Sequence, residues 1–200
     1  MKNNLLLVFT RNPELGKVKT RLAKTIGDKA ALKTYKILLE HTANVIENVD
    51  CDKAIYYSVK IRNNDGWSEA YQKYQQEGED LGIRMYNAFK NGFESGYKNV
   101  VIVGSDLFDL EVKHINSAFE KLTNNDVVIG PAQDGGYYLL GLKKENKAIF
   151  QYKNWGTSTV LNDTLQDLKK HSISFLDVLN DIDTYEDLEK NTKLKQLIND

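Results

Sequence analysis

Short runs of consecutive apolar residues recur along the chain, separated by longer stretches with helical spacing. The runs at 5–9 (LLLVF) and 100–103 (VVIV) are uninterrupted, which is typical of strands buried on both faces of a parallel sheet. Within 31–46 and 81–93, apolar residues recur every three or four positions, as on one side of an amphipathic helix. The pattern therefore predicts strands that alternate with helices.

The predicted strands cover residues 4–10, 53–59, 99–104, 126–130, 137–142 and 172–176. The predicted helices cover residues 28–46 (with Asp28 as the N-cap), 67–74, 81–93, 111–122, 159–170 and 185–190. This alternation favours an α/β fold with a mostly parallel sheet and helices on both faces. With no linker or repeat, the sequence predicts one domain over residues 1–200.

The amino-acid composition excludes several classes of protein. The 27 basic and 28 acidic residues nearly cancel, so no overall field favours nucleic acid or an anionic membrane. No stretch approaches the roughly 20 apolar residues that span a bilayer. The single cysteine, Cys51, excludes an internal disulfide and most thiolate metal sites. We expect a cytoplasmic protein without a nucleic-acid partner or a membrane span.

A basic loop follows the first predicted strand. Arg11, Lys17, Lys19 and Arg21 lie within eleven residues, and a glycine turn precedes the next helix. Ligands of open α/β sheets bind beyond the carboxyl ends of the strands, and cations there suit a polyphosphate. The alternative is an ordinary solvated loop.

Asp106 follows the strand at 99–104 directly. A carboxylate at such a strand end can hold Mg²⁺ or Mn²⁺, which take oxygen ligands and leave room for phosphate oxygens. The alternative is that Asp106 closes a turn, and Asp109 is the better candidate for capping the following helix.

Asp183 follows the last predicted strand and can reach the same metal ion as Asp106. The alternative, a helix cap, is favoured here, because Asp183 or Thr184 with an acidic residue three positions later makes a capping box. The segment Asp134, Gly135 and Gly136 also leaves two alternatives. Its glycines let the backbone approach a ligand closely, or they only form a hairpin turn, since Asp-Gly between two strands is a common turn sequence.

Six segments in order resemble a known family: FTRNPELGKVKTRLA, EGEDLGIRM, VIVGSDLFDL, IGPAQDGGYYLLGL, NWGTSTVL and DIDTYEDL. The chain resembles the bacterial radical-SAM/selenodomain-associated transferases of the nucleotide-diphospho-sugar transferase superfamily, which has the GT-A fold. It is also similar to the guanylyltransferases of molybdenum-cofactor and deazaflavin-cofactor synthesis.

The resemblance implies a role for each matching residue. Lys17, Lys19 and Arg21, with Arg11, would bind the phosphates of a nucleotide, and Lys19 and Arg21 would assist catalysis. Asp106 and Asp183 would hold Mg²⁺ or Mn²⁺, with Asp106 also catalytic. The substrate-facing residues would be Asp134, Gly135 and Gly136.

The implied activity is a metal-dependent transferase with an unknown small-molecule acceptor. Glycosyl transfer from an NDP-sugar and nucleotidyl transfer from an NTP share this site, and the cationic loop slightly favours the second. A different class, a non-catalytic nucleotide-binding or regulatory module, stays open because one fold hosts many functions.

Overall fold

The computed structural model describes residues 3–199. The strands are β1 (Asn4–Thr10), β2 (Asp52–Tyr57), β3 (Gln72–Gln75), β4 (Asn99–Gly104), β5 (Val127–Pro131), β6 (Tyr137–Leu142) and β7 (Ile173–Phe175). The helices are α1 (Thr20–Ile26), α2 (Asp28–Glu47), α3 (Leu81–Glu94), α4 (Val112–Leu122), α5 (Val160–Asp167), α6 (Tyr185–Lys190) and α7 (Thr192–Asn199), with a 3-10 turn at Ala148–Phe150. Within residues 3–199, no helix is long and apolar enough to cross a membrane.

The strands form one seven-stranded sheet in the order β3-β2-β1-β4-β6-β5-β7. β6 runs antiparallel to β4 and β5, and the other neighbouring pairs are parallel. The predicted α/β class with a mostly parallel sheet is confirmed. The chain proceeds from β1 outward to β2 and β3, and then returns to β4 on the other side of β1.

Two apolar cores cover the two faces of the sheet. Leu6 and Val8 of β1 join a core with α2 and α4, whereas Leu5 and Leu7 join a core with α3 and α5. This division follows from the strand period of two, which sends successive side chains to opposite faces. Each buried leucine contributes about 1.5–3 kcal/mol relative to an exposed one, so β1 is anchored firmly from both sides.

A third, smaller cluster fixes the end of the chain beside the basic loop. Leu22 of α1, Leu38 of α2, and Ile182, Leu188 and Leu194 pack together. The sequence pattern did not predict α1 or α7, because each is a helix of only two turns whose apolar side is completed by this cluster. The packing places the segment before α6 over the start of α1.

The predicted helix over 67–74 is wrong. Trp67 lies in the core beside β2, and residues 72–75 form the edge strand β3, which pairs with β2 in parallel. A short edge strand has one exposed side and draws its order from the neighbouring strand, so its polar sequence carries little periodicity.

Two predicted helix caps are also wrong. Gly27, with φ +82°, occupies the N-cap of α2, and Asp28 is the first helical residue. Gly27 also ends α1, since its N–H donates to the Ala23 carbonyl (2.9 Å). Glu111, not Asp109, caps α4 and forms a capping box with the histidine three residues later.

Candidate active site

The candidate site lies at the carboxyl ends of β1 and β4, where the strand order reverses. Such a switch point leaves a crevice, because the connections from the two strands leave in opposite directions. Arg11 begins the loop that follows β1, and Asp106 lies two residues beyond β4.

Lys19 is the central cation of this crevice. Its Nζ lies 3.0 Å from Oδ2 of Asp106 and 2.9 Å from Oδ1 of Asp183, and its side chain is 4% exposed. Lys19 occupies the N-cap of α1 with φ +47°, a left-handed conformation that is uncommon outside glycine. The structure therefore places the Lys19 ammonium in contact with both predicted metal ligands, Asp106 and Asp183.

The pKa of Lys19 reflects this placement. Burial disfavours the charged ammonium, but the Coulombic attraction of Asp106 and Asp183, with a hydrogen bond to each, outweighs it. The pKa of Lys19 is therefore raised above its ordinary value, and the side chain stays charged.

A third carboxylate joins the two that were predicted. The Ile182 N–H donates to the Asp106 carbonyl (3.3 Å), which brings the Asp181–Ile182–Asp183 segment against the end of β4. Carboxyl oxygens of Asp106, Asp181 and Asp183 all lie within 4.8 Å of one another. Burial first, and then the neighbouring carboxylates, raise the pKa of Asp181 to about 6. Crowded acidic groups of this kind favour a bound cation.

The donor set fits a hard divalent ion. Three carboxylates supply the oxygen ligands that Mg²⁺ and Mn²⁺ prefer, and each aspartate is only partly buried. The side chains of Asp106 and Asp183 are 35% and 36% exposed, which leaves room for further oxygen ligands from a phosphate.

The helix cap that the sequence allowed at Asp183 is formed by the next residue. Thr184 is the N-cap of α6, and its side chain and Asp187 form a capping box. Asp183 contributes only its backbone N–H, which donates to Asp187 (3.2 Å). The Asp183 carboxylate is therefore directed to Lys19 and to Arg21, whose Nη1 lies 3.6 Å from Oδ2.

The predicted basic residues surround one large cavity of about 530 Å³. Arg11, Lys17, Lys19 and Arg21 all line it, together with Asp106 and Asp183. Lys17 and Arg21 are exposed, in contrast to the buried Lys19. The loop therefore presents exposed cations to the cavity and keeps one cation among the carboxylates.

Buried hydroxyl groups form part of the cavity wall. The Tyr35 hydroxyl lies 3.2 Å from the hydroxyls of both Thr10 and Ser105, and it accepts a hydrogen bond from the Arg11 N–H (2.8 Å). Burial raises the pKa of Tyr35, so it stays a neutral phenol. This network ties the ends of β1 and β4 to α2.

The Asp134–Gly136 segment is both a hairpin turn and part of a cavity wall. It connects the antiparallel strands β5 and β6, and the Gly136 N–H donates to Oδ1 of Asp134 (2.9 Å). Asp134 and Gly136 line a second cavity of about 200 Å³, which also reaches Asp106. Gly135 instead supports the wall, since its carbonyl accepts from the Leu161 N–H (3.0 Å).

Three lining residues were not assigned a role from the sequence. Asp181 completes the carboxylate group, and its spacing from Asp183 could have indicated it. Arg84 lines the large cavity and donates from Nε to the Gly78 carbonyl (2.9 Å). Gln76 also lines it and is held by the carbonyls of β1 and β2, a position that only the fold defines.

The chain is similar to proteins of one fold and of related activities. A family model described as "Uncharacterized protein conserved in bacteria (DUF2064)" matches residues 41–157. The chain is 26% identical over 184 residues to 2-phospho-L-lactate guanylyltransferase of Methanocaldococcus jannaschii, which covers 87% of this chain and 76% of that relative.

Solved structures extend this similarity. A protein of Desulfovibrio desulfuricans G20, provisionally described as a nucleotide-diphospho-sugar transferase, is 30% identical with a TM-score of 0.89, covering 100% of this chain and 98% of that one. The 4-diphosphocytidyl-2C-methyl-D-erythritol synthase of Anaerococcus prevotii shares the fold, with 11% identity, a TM-score of 0.63 and 98% and 97% coverage.

Proposed function

We propose a metal-dependent nucleotidyl transfer for this chain, which belongs to the DUF2064 family of bacterial proteins. The resemblance seen in the sequence, the α/β fold class and the assignment to the transferases are confirmed. The single domain, the cytoplasmic location and the absence of a nucleic-acid partner stay predictions.

The observation that carries the proposal is the meeting of opposite charges at the carboxyl ends of β1 and β4. Carboxyl oxygens of Asp106, Asp181 and Asp183 lie within 4.8 Å of one another beside Lys19. The exposed cations Lys17 and Arg21 line the same large cavity as Asp106 and Asp183. A nucleoside triphosphate needs both kinds of group, a cation-lined wall for its phosphates and carboxylates for the accompanying metal ion.

We assign the donor as an NTP rather than an NDP-sugar, and GTP is the first candidate. The relative of M. jannaschii is a guanylyltransferase. A departing pyrophosphate carries more negative charge than a departing nucleoside diphosphate, so the cations Arg11, Lys17 and Arg21 along the cavity favour it. The relative supports guanine as the base, and the cations support a triphosphate whatever its base.

The proposed reaction joins the nucleotide to a phosphorylated acceptor. An oxygen of the acceptor phosphate attacks the α-phosphorus, the bond from that phosphorus to the bridging oxygen breaks, and pyrophosphate leaves with the electron pair. Lys17 and Arg21 bind the departing oxygens, and Lys19 holds Asp106 and Asp183 in position. When bound by the three aspartates, a divalent ion neutralises charge on the transferred phosphate.

The test is equilibrium binding of four NTPs and two NDP-sugars, measured by thermal unfolding with Mg²⁺, Mn²⁺ or EDTA. A ligand present at a hundred times its Kd raises the free energy of unfolding by about 2.7 kcal/mol. We expect the largest rise with GTP and Mn²⁺ or Mg²⁺, and no rise in EDTA. A preference for NDP-sugars would indicate glycosyl transfer instead of nucleotidyl transfer. If no nucleotide raises the free energy of unfolding, the proposal is wrong.

Turnover separates an enzyme from a binding module. We expect pyrophosphate release when GTP, the metal ion and a mixture of phosphomonoesters are supplied together. Metal-dependent GTP binding without pyrophosphate release from any mixture would favour the non-catalytic module on the same fold.

A further inference from the structure

Gln76 is a buried polar residue at the carboxyl end of β3. It lines the large cavity, although the residue is only 9% exposed. The backbone N–H of Gln76 donates to the Tyr57 carbonyl (2.9 Å), which continues the pairing of β3 with β2 beyond the last strand residue. Gln76 is therefore fixed at the edge of the sheet where ligands of open α/β folds bind.

The side-chain amide of Gln76 has a fixed orientation. Its Nε2 donates to the carbonyl of Thr10 at the end of β1 (3.2 Å) and to the carbonyl of Tyr56 in β2 (2.9 Å). Both partners can only accept hydrogen bonds, so the amide cannot turn over to place its oxygen against them. These bonds use both hydrogens of the amino group.

The oxygen of this amide has no such partner. Among residues 3–199, no group donates a hydrogen bond to Oε1 of Gln76. A buried acceptor without a donor costs free energy, so such a group is normally completed by water or by a ligand. Because the amide cannot turn over, Oε1 discriminates between a donor and an acceptor on the bound molecule.

Apolar and aromatic side chains line the cavity together with Gln76. Phe9 of β1 stacks on Tyr56, with 5.4 Å between the ring centroids. Phe9 lines the cavity, as do Leu81 and Met85 of α3. Apolar surface with a small number of fixed polar groups is the usual setting in which proteins recognise a small organic molecule. A nucleobase suits it, because the ring is planar and its edge is polar.

The strand order separates Gln76 from the carboxylates of the site. Gln76 contacts the ends of β2 and β1, whereas Lys19 contacts Asp106, which follows β4 on the other side of β1. The cavity thus extends from Gln76, across the end of β1, to the groups to which we assign the metal ion and the phosphates. A nucleotide needs both regions, because its base and its phosphates lie at opposite ends of the ribose.

We propose that Gln76 selects the base of the nucleotide, with Oε1 accepting a hydrogen bond from an amino group or a ring N–H of the base. The inference rests on the proposed function, because that function supplies the nucleotide. Guanine suits this contact, since its N1–H and its N2 amino group are adjacent donors on one edge. A base that presents only a lone pair to Oε1 leaves two acceptors facing each other, which is unfavourable.

The test is calorimetric titration of the full chain with the four common NTPs and with inorganic tripolyphosphate, all with Mn²⁺. Tripolyphosphate carries the negative charge without a base. We expect the wild type to bind GTP about tenfold or more tightly than the other NTPs. Gln76→Met keeps the length of the side chain and removes both polar groups. In this variant GTP affinity should fall about tenfold, and the preference for GTP should fall below about threefold. Tripolyphosphate affinity should stay within about twofold of the wild-type value.

Two further variants separate recognition from folding. Gln76→Glu keeps an acceptor oxygen and loses the amino group that donates to Thr10 and Tyr56, so GTP should remain the preferred nucleotide. A residue that only joined β1 to β2 would be damaged equally by both substitutions. Gln75→Met makes the first substitution at the preceding residue, which is exposed, and should leave every Kd within about twofold of the wild-type value.

Each outcome decides. A base preference that Gln76→Met leaves intact overturns the inference and leaves the proposed function standing. An equal loss for all NTPs would place the contact on the ribose and overturns the inference. A loss shared by tripolyphosphate, or a preference lost in Gln76→Glu, would make Gln76 a structural residue and also overturns it.

The remaining outcomes separate the inference from the proposed function. A preference for another NTP that depends on Gln76 in the same way retains the inference and replaces GTP as the donor. Gln76-dependent GTP binding without pyrophosphate release from any phosphomonoester would retain the inference and reject the proposed transfer. If the wild type binds no NTP, both are wrong.

Discussion

The two cavities that meet at Asp106 differ in the charge of their walls. The larger carries Arg11, Lys17, Lys19 and Arg21, while the smaller, within the described residues 3–199, has no lysine or arginine in its wall. Both share the carboxylate at the end of β4. The difference indicates that the cation-lined cavity is the better place for the polyphosphate of a nucleotide.

The two cavities also differ in how the chain builds them. The predicted cations of the larger come from one segment, residues 11–21, which follows β1 directly. The wall of the smaller comes from five segments: residues 81–85, 104–107, 132–138 and 155–160, and Asp181. Cations on one contiguous segment can change independently, whereas a wall made of five segments depends on the contacts between them.

The largest expected effect is at the boundary between the cavities. Asp106→Asn keeps the size of the side chain and removes the charge that both Lys19 and a metal ion require. We expect kcat/KM for transfer to fall roughly a hundred- to a thousandfold, the range for loss of a group that stabilises transition-state charge. Steady-state pyrophosphate release measures it.

The control for this prediction is Asp109→Asn, a nearby exposed carboxylate whose Oδ1 accepts from Asn191 (3.3 Å). It should retain transfer within about twofold, since surface changes away from a site have small effects. Equal loss in both variants would mean that the region responds to charge in general and that Asp106 has no special role.

The second prediction tests whether Lys19 belongs to the phosphate wall or to the carboxylates. Lys19→Met removes the ammonium that lies 3.0 Å and 2.9 Å from the two aspartates. Because the ammonium and a divalent ion use the same carboxylates, Mn²⁺ affinity should rise about tenfold. Transfer should fall about ten- to a hundredfold, because Lys19 no longer holds Asp106 and Asp183 in position. Calorimetry with Mn²⁺ and steady-state kinetics measure the two changes.

Without metal, Lys19→Met should also lower the free energy of unfolding by about 1–2 kcal/mol. That is less than for a fully buried pair, because water still reaches the aspartates. Lys17→Met, an exposed cation in the same loop, should leave both Mn²⁺ affinity and stability near the wild-type values. A fall in Mn²⁺ affinity in Lys19→Met would show that the ammonium assists the ion and does not compete with it.

The sequence predicts features that depend on neighbouring residues along the chain. β4 has the predicted bounds of 99–104, because its apolar run is uninterrupted, and Asp106 then follows at the strand end. The basic loop is contiguous, so its four cations are recognisable in the sequence alone.

Features that depend on distant partners could not be predicted from the pattern. β3 is ordered by β2 and carries a polar sequence, so the same residues suggested a helix. The bond from Ile182 to the Asp106 carbonyl brings Asp181 into the carboxylate group, and only the packed C-terminal cluster creates that bond. For Asp183 the local pattern favoured a cap, a role that Thr184 has instead.

The smallest expected effect concerns the assembled wall of the second cavity. Gly135→Ala introduces a Cβ 2.3 Å from the Ser158 carbonyl oxygen at a residue with φ +89°. Gly96→Ala is a close match, since Gly96 has φ +88° and nothing within 4 Å of its Cβ position. Backbone strain of about 1–2 kcal/mol is common to both variants.

The difference between the two variants therefore measures the contact between the hairpin turn and the loop at 155–159. Relieving the clash requires a shift of backbone on both sides, for which we expect a further loss of about 1–2 kcal/mol in Gly135→Ala, as in overpacked sites. Urea unfolding of the two variants gives this difference directly. Equal losses would mean that the loop moves aside at no cost, and that the wall of the second cavity is adaptable in shape.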